Sequence, residues 1–285
     1  MTIPPFVPTI PPFVAMPLAA LLRGAIVRRM HTPHASAFPP QFDTATRQPV
    51  AGPRPKVTAR AAGVLVLMTI LGGIFAQAFV SNALISFADA AATANNILAK
   101  RSLFELSFTV YLIEMTCQIA SAALFYLLLR PVSRNLALVA AFIELSGSII
   151  KTMSRLFYIT PLFVLSGTTA LNAFSPEQLR AIALLLLKIN DRGAAMALAF
   201  FGVSGLLHGY LIFRSTFLPR ALGILGMIAS AGWLRFFFPA LRIPSFTFIA
   251  VLALLVAAVE IFWLIVFGVD EEKWKEKHRL SMQAV

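Results

Sequence analysis

Six ionisable side chains and one amide lie inside runs of otherwise apolar sequence: Glu114, Glu144, Lys151, Arg155, His208 and Glu260, with Gln118. In apolar surroundings such groups can bind a charged solute, relay a proton, or pair with one another. Their spacing narrows the choice. Glu144, Ser148, Lys151 and Arg155 recur at helical intervals and share one face of a helix. Glu114, Gln118 and Ser121 make a matching stripe, with Tyr111 one turn away. At a rise of about 1.5 Å per residue, Glu114 and Glu144 sit near the middle of their runs. Lys151, Arg155, Glu105 and Arg235 lie toward one side, and His208 and Glu260 share a level on the other. Depth therefore predicts the pairs Glu114–Lys151 and Glu105–Arg155. Glu144 and Glu260 are left in excess. A carboxyl group without a partner in hydrocarbon keeps a proton rather than a charge, unless His208 approaches it. Paired charges fix helix register without chemistry, whereas unpaired ones mark a path for a solute or a proton. The candidate intramembrane polar site is Glu114, Gln118, Glu144, Lys151, Arg155, His208 and Glu260.

A nucleophile is the other chemistry to weigh. Gly202-Val203-Ser204-Gly205 resembles the G-x-S-G around the serine of rhomboid-type intramembrane proteases, which also use six spans. Their histidine comes from a different span. Here His208 is the only histidine in any span, on the helix of Ser204 itself, where it is poorly placed to take a proton and return it to a leaving group. Gly205 and Gly209 form a G-x-x-x-G that lets another helix approach closely, which is the plainer use of the segment. No catalytic set is expected. His31 and His34 fall near the N-terminus, so no histidine metal site forms, and no P-loop or dinucleotide fingerprint implies a cofactor. Cys117 is the single cysteine, which excludes an internal disulfide and a thiolate metal set.

The elements that carry these residues follow from composition. Of 285 residues, 59% are apolar and 13% charged, about half the charge of an ordinary soluble chain, and mean hydropathy is +0.82. That excludes a soluble enzyme, a disordered protein and a nucleic-acid binder, the net charge of +12 notwithstanding. The implied partner is the lipid bilayer. Continuous apolar runs at 61–80, 103–129, 136–160, 194–213, 219–240 and 245–268 predict an all-α polytopic transmembrane bundle of six spans. The short loops with Arg130 and Arg134, and with Arg214 and Arg220, put both termini in the cytoplasm.

Between the spans, Asp89 opens a small helix over 90–99. Ser175-Pro176-Glu177-Gln178 carries the signs of a capping box. It predicts a short interfacial outer helix that ends at Asn190-Asp191-Arg192-Gly193, where the chain turns into span four. Tyr158 and Trp274 stand where interface anchors belong. Residues 1–57 hold most of the 18 prolines and read as a mostly disordered cytoplasmic tail, with Met16 and Met30 as alternative starts to Met1. Residues 269–285 read as a charged cytoplasmic tail, with Glu271–Lys275 as an i,i+4 pair.

A run of motifs carries a resemblance. It begins with Gly72-Gly73-Ile74-Phe75-Ala76 and Asp89-Ala90-Ala91-Ala92-Thr93-Ala94-Asn95-Asn96, then Leu129-Arg130-Pro131-Val132-Ser133-Arg134-Asn135, and closes on Gly209-Tyr210-Leu211-Ile212-Phe213-Arg214-Ser215 with Leu218-Pro219-Arg220. Over about 58–268 the chain resembles a family of uncharacterised bacterial multi-pass membrane proteins known only as a domain of unknown function. The resemblance implies a helical integral membrane protein of the bacterial cytoplasmic membrane. It implies no activity, ligand or catalytic residue. A structural or accessory bundle, or one that binds a small solute, is the first expectation, and a small transporter or channel using the Glu/Lys path is the second. The halves 61–160 and 194–268 do not place Glu144 and Glu260 alike, which argues against inverted repeats, and six spans are few for a carrier unless it forms a homo-oligomer. An intramembrane hydrolase ranks last.

Overall fold

The computed structural model describes residues 54–167, 171–237 and 246–283. The Pro-rich stretch up to residue 53 and the alternative starts lie outside the described residues. Every regular element among the described residues is helical. The chain runs α1 (Pro55–Leu84), α2 (Ala90–Ala99), α3 (Arg101–Leu129), α4 (Arg134–Leu165), α5 (Pro176–Arg214), α6 (Arg220–Trp233), α7 (Phe246–Val266) and α8 (Glu271–Gln283). The whole of α1, α3, α4 and α5, and Thr247–Val266 of α7, are long and apolar enough to cross a membrane.

Polarity is inverted relative to a protein in water. Phe142 and Phe248 are 60% and 67% exposed, while Glu144 and Arg155 are 5% and 2% exposed. Apolar side chains face outward and charges inward, the arrangement expected when the surrounding solvent is hydrocarbon. The chain is accordingly a membrane protein.

The sequence explains where most helices begin. Pro55 occupies the first turn of α1, where its missing N–H would be unpaired in any case. Asp89 caps α2 by accepting from the Ala92 amide at 2.9 Å, and Ser133 caps α4. Ser175 and Gln178 form a reciprocal capping box at the start of α5. Replacing Ser175 with Ala is expected to destabilise the chain by about 1 kcal/mol, measurable as a lower unfolding midpoint in detergent.

Two expectations need correction. Helix begins at Pro55, ahead of the apolar run that starts at residue 61, so it replaces the last residues of the expected tail. The short outer helix before span four does not exist as a separate element: α5 runs unbroken for 39 residues through Asn190-Asp191-Arg192-Gly193. A turn is not made there because tertiary partners claim its residues. Asn190 is buried against Arg155, and a Cβ at Gly193 would lie 2.6 Å from the Ser154 Cβ, so the glycine admits α4 instead of breaking the helix. Of the run 219–240, the described residues form the 14-residue α6, continued by a 3-10 turn over Leu234–Phe237; residues 238–245 lie outside the described residues.

One feature had no sequence signature. Residues Ile74–Ser81 of α1 form a π-helix, between α-helical Pro55–Gly73 and Asn82–Leu84. Such stretches are rare and gather at functional sites.

The helix ends gather in two apolar clusters. One joins Ala59 of α1, Leu128 of α3, Ala137 of α4, Leu211 of α5, Leu222 of α6 and Leu264 of α7 with Trp274 of α8. The other joins Val80, Phe104, Tyr111, Tyr158 and Leu187 with Ile97 of α2. Trp274 is buried, its indole N–H donating to the Leu128 carbonyl at 2.8 Å. It locks α8 onto the bundle rather than anchoring an interface. Gly268, at φ +70°, makes the turn between α7 and α8. A Cβ there would be strained and would also meet Lys56.

Candidate functional site

The polar stripes of α3 and α4 face each other. At the centre, Lys151 Nζ donates to Glu114 Oε1 at 2.5 Å. Glu114 is buried because α1 presents Gly73 opposite it: a Cβ at Gly73 would lie 3.3 Å from Oε1. Its second oxygen, Oε2, is buried without a hydrogen-bond partner among the described residues.

Toward the α2 end, Arg155 leaves the carboxylates. Its guanidinium lies 3.6 Å from the Tyr111 ring centroid and donates through Nη1 to Asn190 Oδ1 at 2.9 Å. Glu105, the partner expected for it, instead accepts from Arg101 at 2.8 Å on an exposed face of the same helix. The nearer cation, one turn away, takes the carboxylate, while an aromatic face and an amide hold the buried guanidinium. Tyr111 donates its hydroxyl to Gln77 Oε1 at 2.7 Å. Ser81 lies 3.2 Å from the Tyr111 hydroxyl and donates to Tyr158 Oη at 3.3 Å. The Tyr158 hydroxyl in turn lies 2.6 Å from Ser107 Oγ. Tyr158 is therefore an interior member of this network, stacked on Phe104, and not an interface anchor. Gln77 and Ser81 both come from the π-helical stretch of α1.

Toward the α8 end, Gln118 donates through Nε2 to Glu144 Oε1 at 2.5 Å. His208 brings Nδ1 within 3.5 Å of Glu144 Oε2 and stacks on Phe125. Of the two surplus carboxyl groups, Glu144 is thus the one that meets the histidine. His208 Nε2 is buried without a hydrogen-bond partner among the described residues. Among the described residues, Glu260 makes no hydrogen bond or ion pair with these groups. Its Oε1 would lie 2.6 Å from a Cβ at Gly226, so it rests against the α6 backbone.

Ser204 does not engage His208: its hydroxyl donates to the Phe201 carbonyl at 3.2 Å. The glycines around it are packing surfaces. A Cβ at Gly209 would meet the Gly223 carbonyl at 2.8 Å, and one at Gly202 would meet Trp233 and the Ser230 carbonyl. Among the described residues, no three His, Cys, Asp or Glu side chains come together as metal ligands.

Glu114, Lys151, Arg155, Glu144, Gln118 and His208 are thus gathered along one interior track of the bundle, and Glu260 is not shown to join it. Sequence reasoning missed Gln77, Ser81, Ser107 and Asn190. The available signal was their polarity within or beside apolar runs.

The match to a family model described as a domain of unknown function, DUF4386, covers residues 61–268. The chain is also similar to a protein of Archaeoglobus fulgidus carrying the description "Uncharacterized protein", 27% identical over 166 residues, which is 56% of this chain and 80% of that one. No solved structure matches.

Proposed function

We propose, for a chain that belongs to the DUF4386 family and takes no activity from it, a multi-pass structural or accessory bundle of the bacterial cytoplasmic membrane whose interior polar contacts hold its helices in register. The observation that carries this reading is that both cations of the α4 stripe find partners inside the bundle, Lys151 on Glu114 and Arg155 on Tyr111 and Asn190. Contacts between helices of this sort specify which faces meet. The chain crosses six times. Support for the sixth crossing comes from α6 with its 3-10 turn, which extends about 29 Å, close to the thickness of a hydrocarbon core of about 30 Å. An even number of crossings agrees with the start of α1 and the end of α7 meeting at one end, where Arg60 Nη2 donates to the Val266 carbonyl. Lys56, Arg130, Arg134, Arg214 and Arg220 lie at or beside the helix termini of that end, which puts it in the cytoplasm by the positive-inside tendency.

A second reading rests on one grouping. Glu144, Gln118 and His208 converge with Glu144 Oε2 and His208 Nε2 free of hydrogen bonds among the described residues, as a proton-coupled carrier or channel would need. Proteoliposomes holding the purified chain and a trapped pH-sensitive dye separate the two. The structural reading expects no proton flux above that of empty vesicles, and a lower unfolding midpoint for Glu144→Gln. A wild-type flux that Glu144→Gln abolishes while the chain stays folded would overturn it in favour of the carrier.

A further inference from the structure

The α8 end of the bundle carries a second feature, distinct from the interior track. The corner between α3 and α4 and the last turns of α8 enclose a cleft of about 890 Å³. Among the described residues its lining includes Arg130, Arg134, Lys277 and His278 and no carboxylate side chain. Clefts of a few hundred to a thousand cubic ångströms are the usual size for small-ligand sites. The cleft is built rather than incidental. Trp274 pins α8 to the Leu128 carbonyl, and the Asp270 amide donates to the Phe217 carbonyl at 3.1 Å. His278 stacks on Trp274, with ring centroids 5.0 Å apart. Together these contacts hold α8 against the α3–α4 corner.

Two nitrogens in this region, Arg130 Nε and His278 Nδ1, are buried and make no hydrogen bond among the described residues. Burial, and then the neighbouring Arg130, hold the His278 imidazole below its ordinary value. The cation and the imidazole thus repel when both are charged, a conflict that an anion between them would relieve. Orienting the chain in a membrane requires basic residues at this end. It does not require that they line a cavity, or that two of their nitrogens be buried without hydrogen bonds. Asp270 and Glu271 are already taken by Lys273 and Lys275, so they do not neutralise the cleft.

We propose that this cleft binds a phosphate group, carried either on an anionic phospholipid or on a solute. Guanidinium and ammonium groups supply charge-assisted donors to phosphate oxygens. Val132, Leu280 and Met282 add an apolar part to the lining, suited to the glycerol and upper acyl region of a lipid. Basic pockets beside transmembrane helices take anionic headgroups by the same chemistry.

The test uses the full chain in detergent and reads its melting temperature. The probes are phosphatidylglycerol, phosphatidylcholine, inorganic phosphate, and sodium chloride at matched ionic strength. A rise with phosphatidylglycerol but not phosphatidylcholine assigns the site to lipid. A rise with inorganic phosphate beyond that with chloride assigns it to a soluble phosphate. In either case Arg134→Gln and Lys277→Gln, both outside the buried interior, should each weaken the response about fivefold, the effect of one basic charge near an anionic surface. The proposal is overturned if neither phosphatidylglycerol nor inorganic phosphate acts, if phosphatidylcholine or chloride acts as well as they do, or if both variants respond like wild type. Native mass spectrometry supplies a readout independent of melting: the wild-type chain should retain phosphatidylglycerol or phosphate, and retention unchanged in a folded Arg134→Gln/Lys277→Gln double variant also overturns it.

Discussion

Lys151→Met should destabilise the bundle by about 3–5 kcal/mol, the range for breaking a buried ion pair from one side. The direct interaction lost is the 2.5 Å contact to Glu114 Oε1. The larger part of the cost is what remains, a carboxylate in a low-dielectric interior whose other oxygen already lacks a hydrogen bond. Methionine fills much of the space of the lysine stem, so little of the effect should come from a cavity. Adding Glu114→Gln should therefore recover most of the loss, because it removes the stranded charge. A double-mutant cycle on unfolding midpoints in detergent checks this. If the double variant were as unstable as Lys151→Met, or if Lys151→Met behaved like wild type, the pair would not be holding α3 to α4.

Gly223→Ala should cost more than the roughly 1–3 kcal/mol of an ordinary overpacked core, despite adding one methyl group. Its Cβ would stand 2.5 Å from the Gly209 carbonyl oxygen and 2.5 Å from the Phe213 amide nitrogen. Both are backbone atoms of α5, which cannot swing aside as a side chain can. The two helices must separate, and the loss spreads along the whole α5–α6 contact. Gly72→Ala is the matched control. Its Cβ would meet Val110 and Glu114 at 3.4 and 3.5 Å, within ordinary contact distance, and alanine favours helix over glycine by about 1 kcal/mol. Size-exclusion profiles of fluorescent fusions should show Gly223→Ala depleted of monodisperse protein and Gly72→Ala like wild type. Equal behaviour of the two would refute the close α5–α6 approach.

The sequence specifies the helices better than their partners. Asp89 and Ser175 act as caps because a cap is a local event, decided by a side chain and an amide three residues away. The α3 and α4 stripes were legible for a similar reason, since helical periodicity fixes a face before any partner is known. Misreadings arose where a distant residue decides the outcome. Asn190 and Gly193 carry turn chemistry, yet Arg155 and Ser154 draw them into a continuous helix. Glu105 and Arg155 are matched in depth, but depth does not say which way a side chain faces. Gln77 and Ser81 were hidden more deeply: their approach to Tyr111 and Tyr158 depends on the wider winding of α1, and no 3.6-residue pattern encodes that. Tyr158 and Trp274 show the weakness of reading an aromatic by its position along a run. Their polar atoms found partners inside the protein, so neither needs the membrane–water boundary.

The docking of α8 has a consequence for how the protein is made. Trp274 closes over the Leu128 carbonyl, 146 residues earlier in the chain. A ribosome delivers α3 and α4 to the membrane long before it synthesises this tryptophan. Until then the corner between them stays open, available to chaperones and proteases on that side of the membrane. Maturation of the bundle is thereby tied to the arrival of a 13-residue helix outside the candidate membrane-crossing segments, and a ribosome that stalls after α7 leaves a product that is inserted yet unsealed.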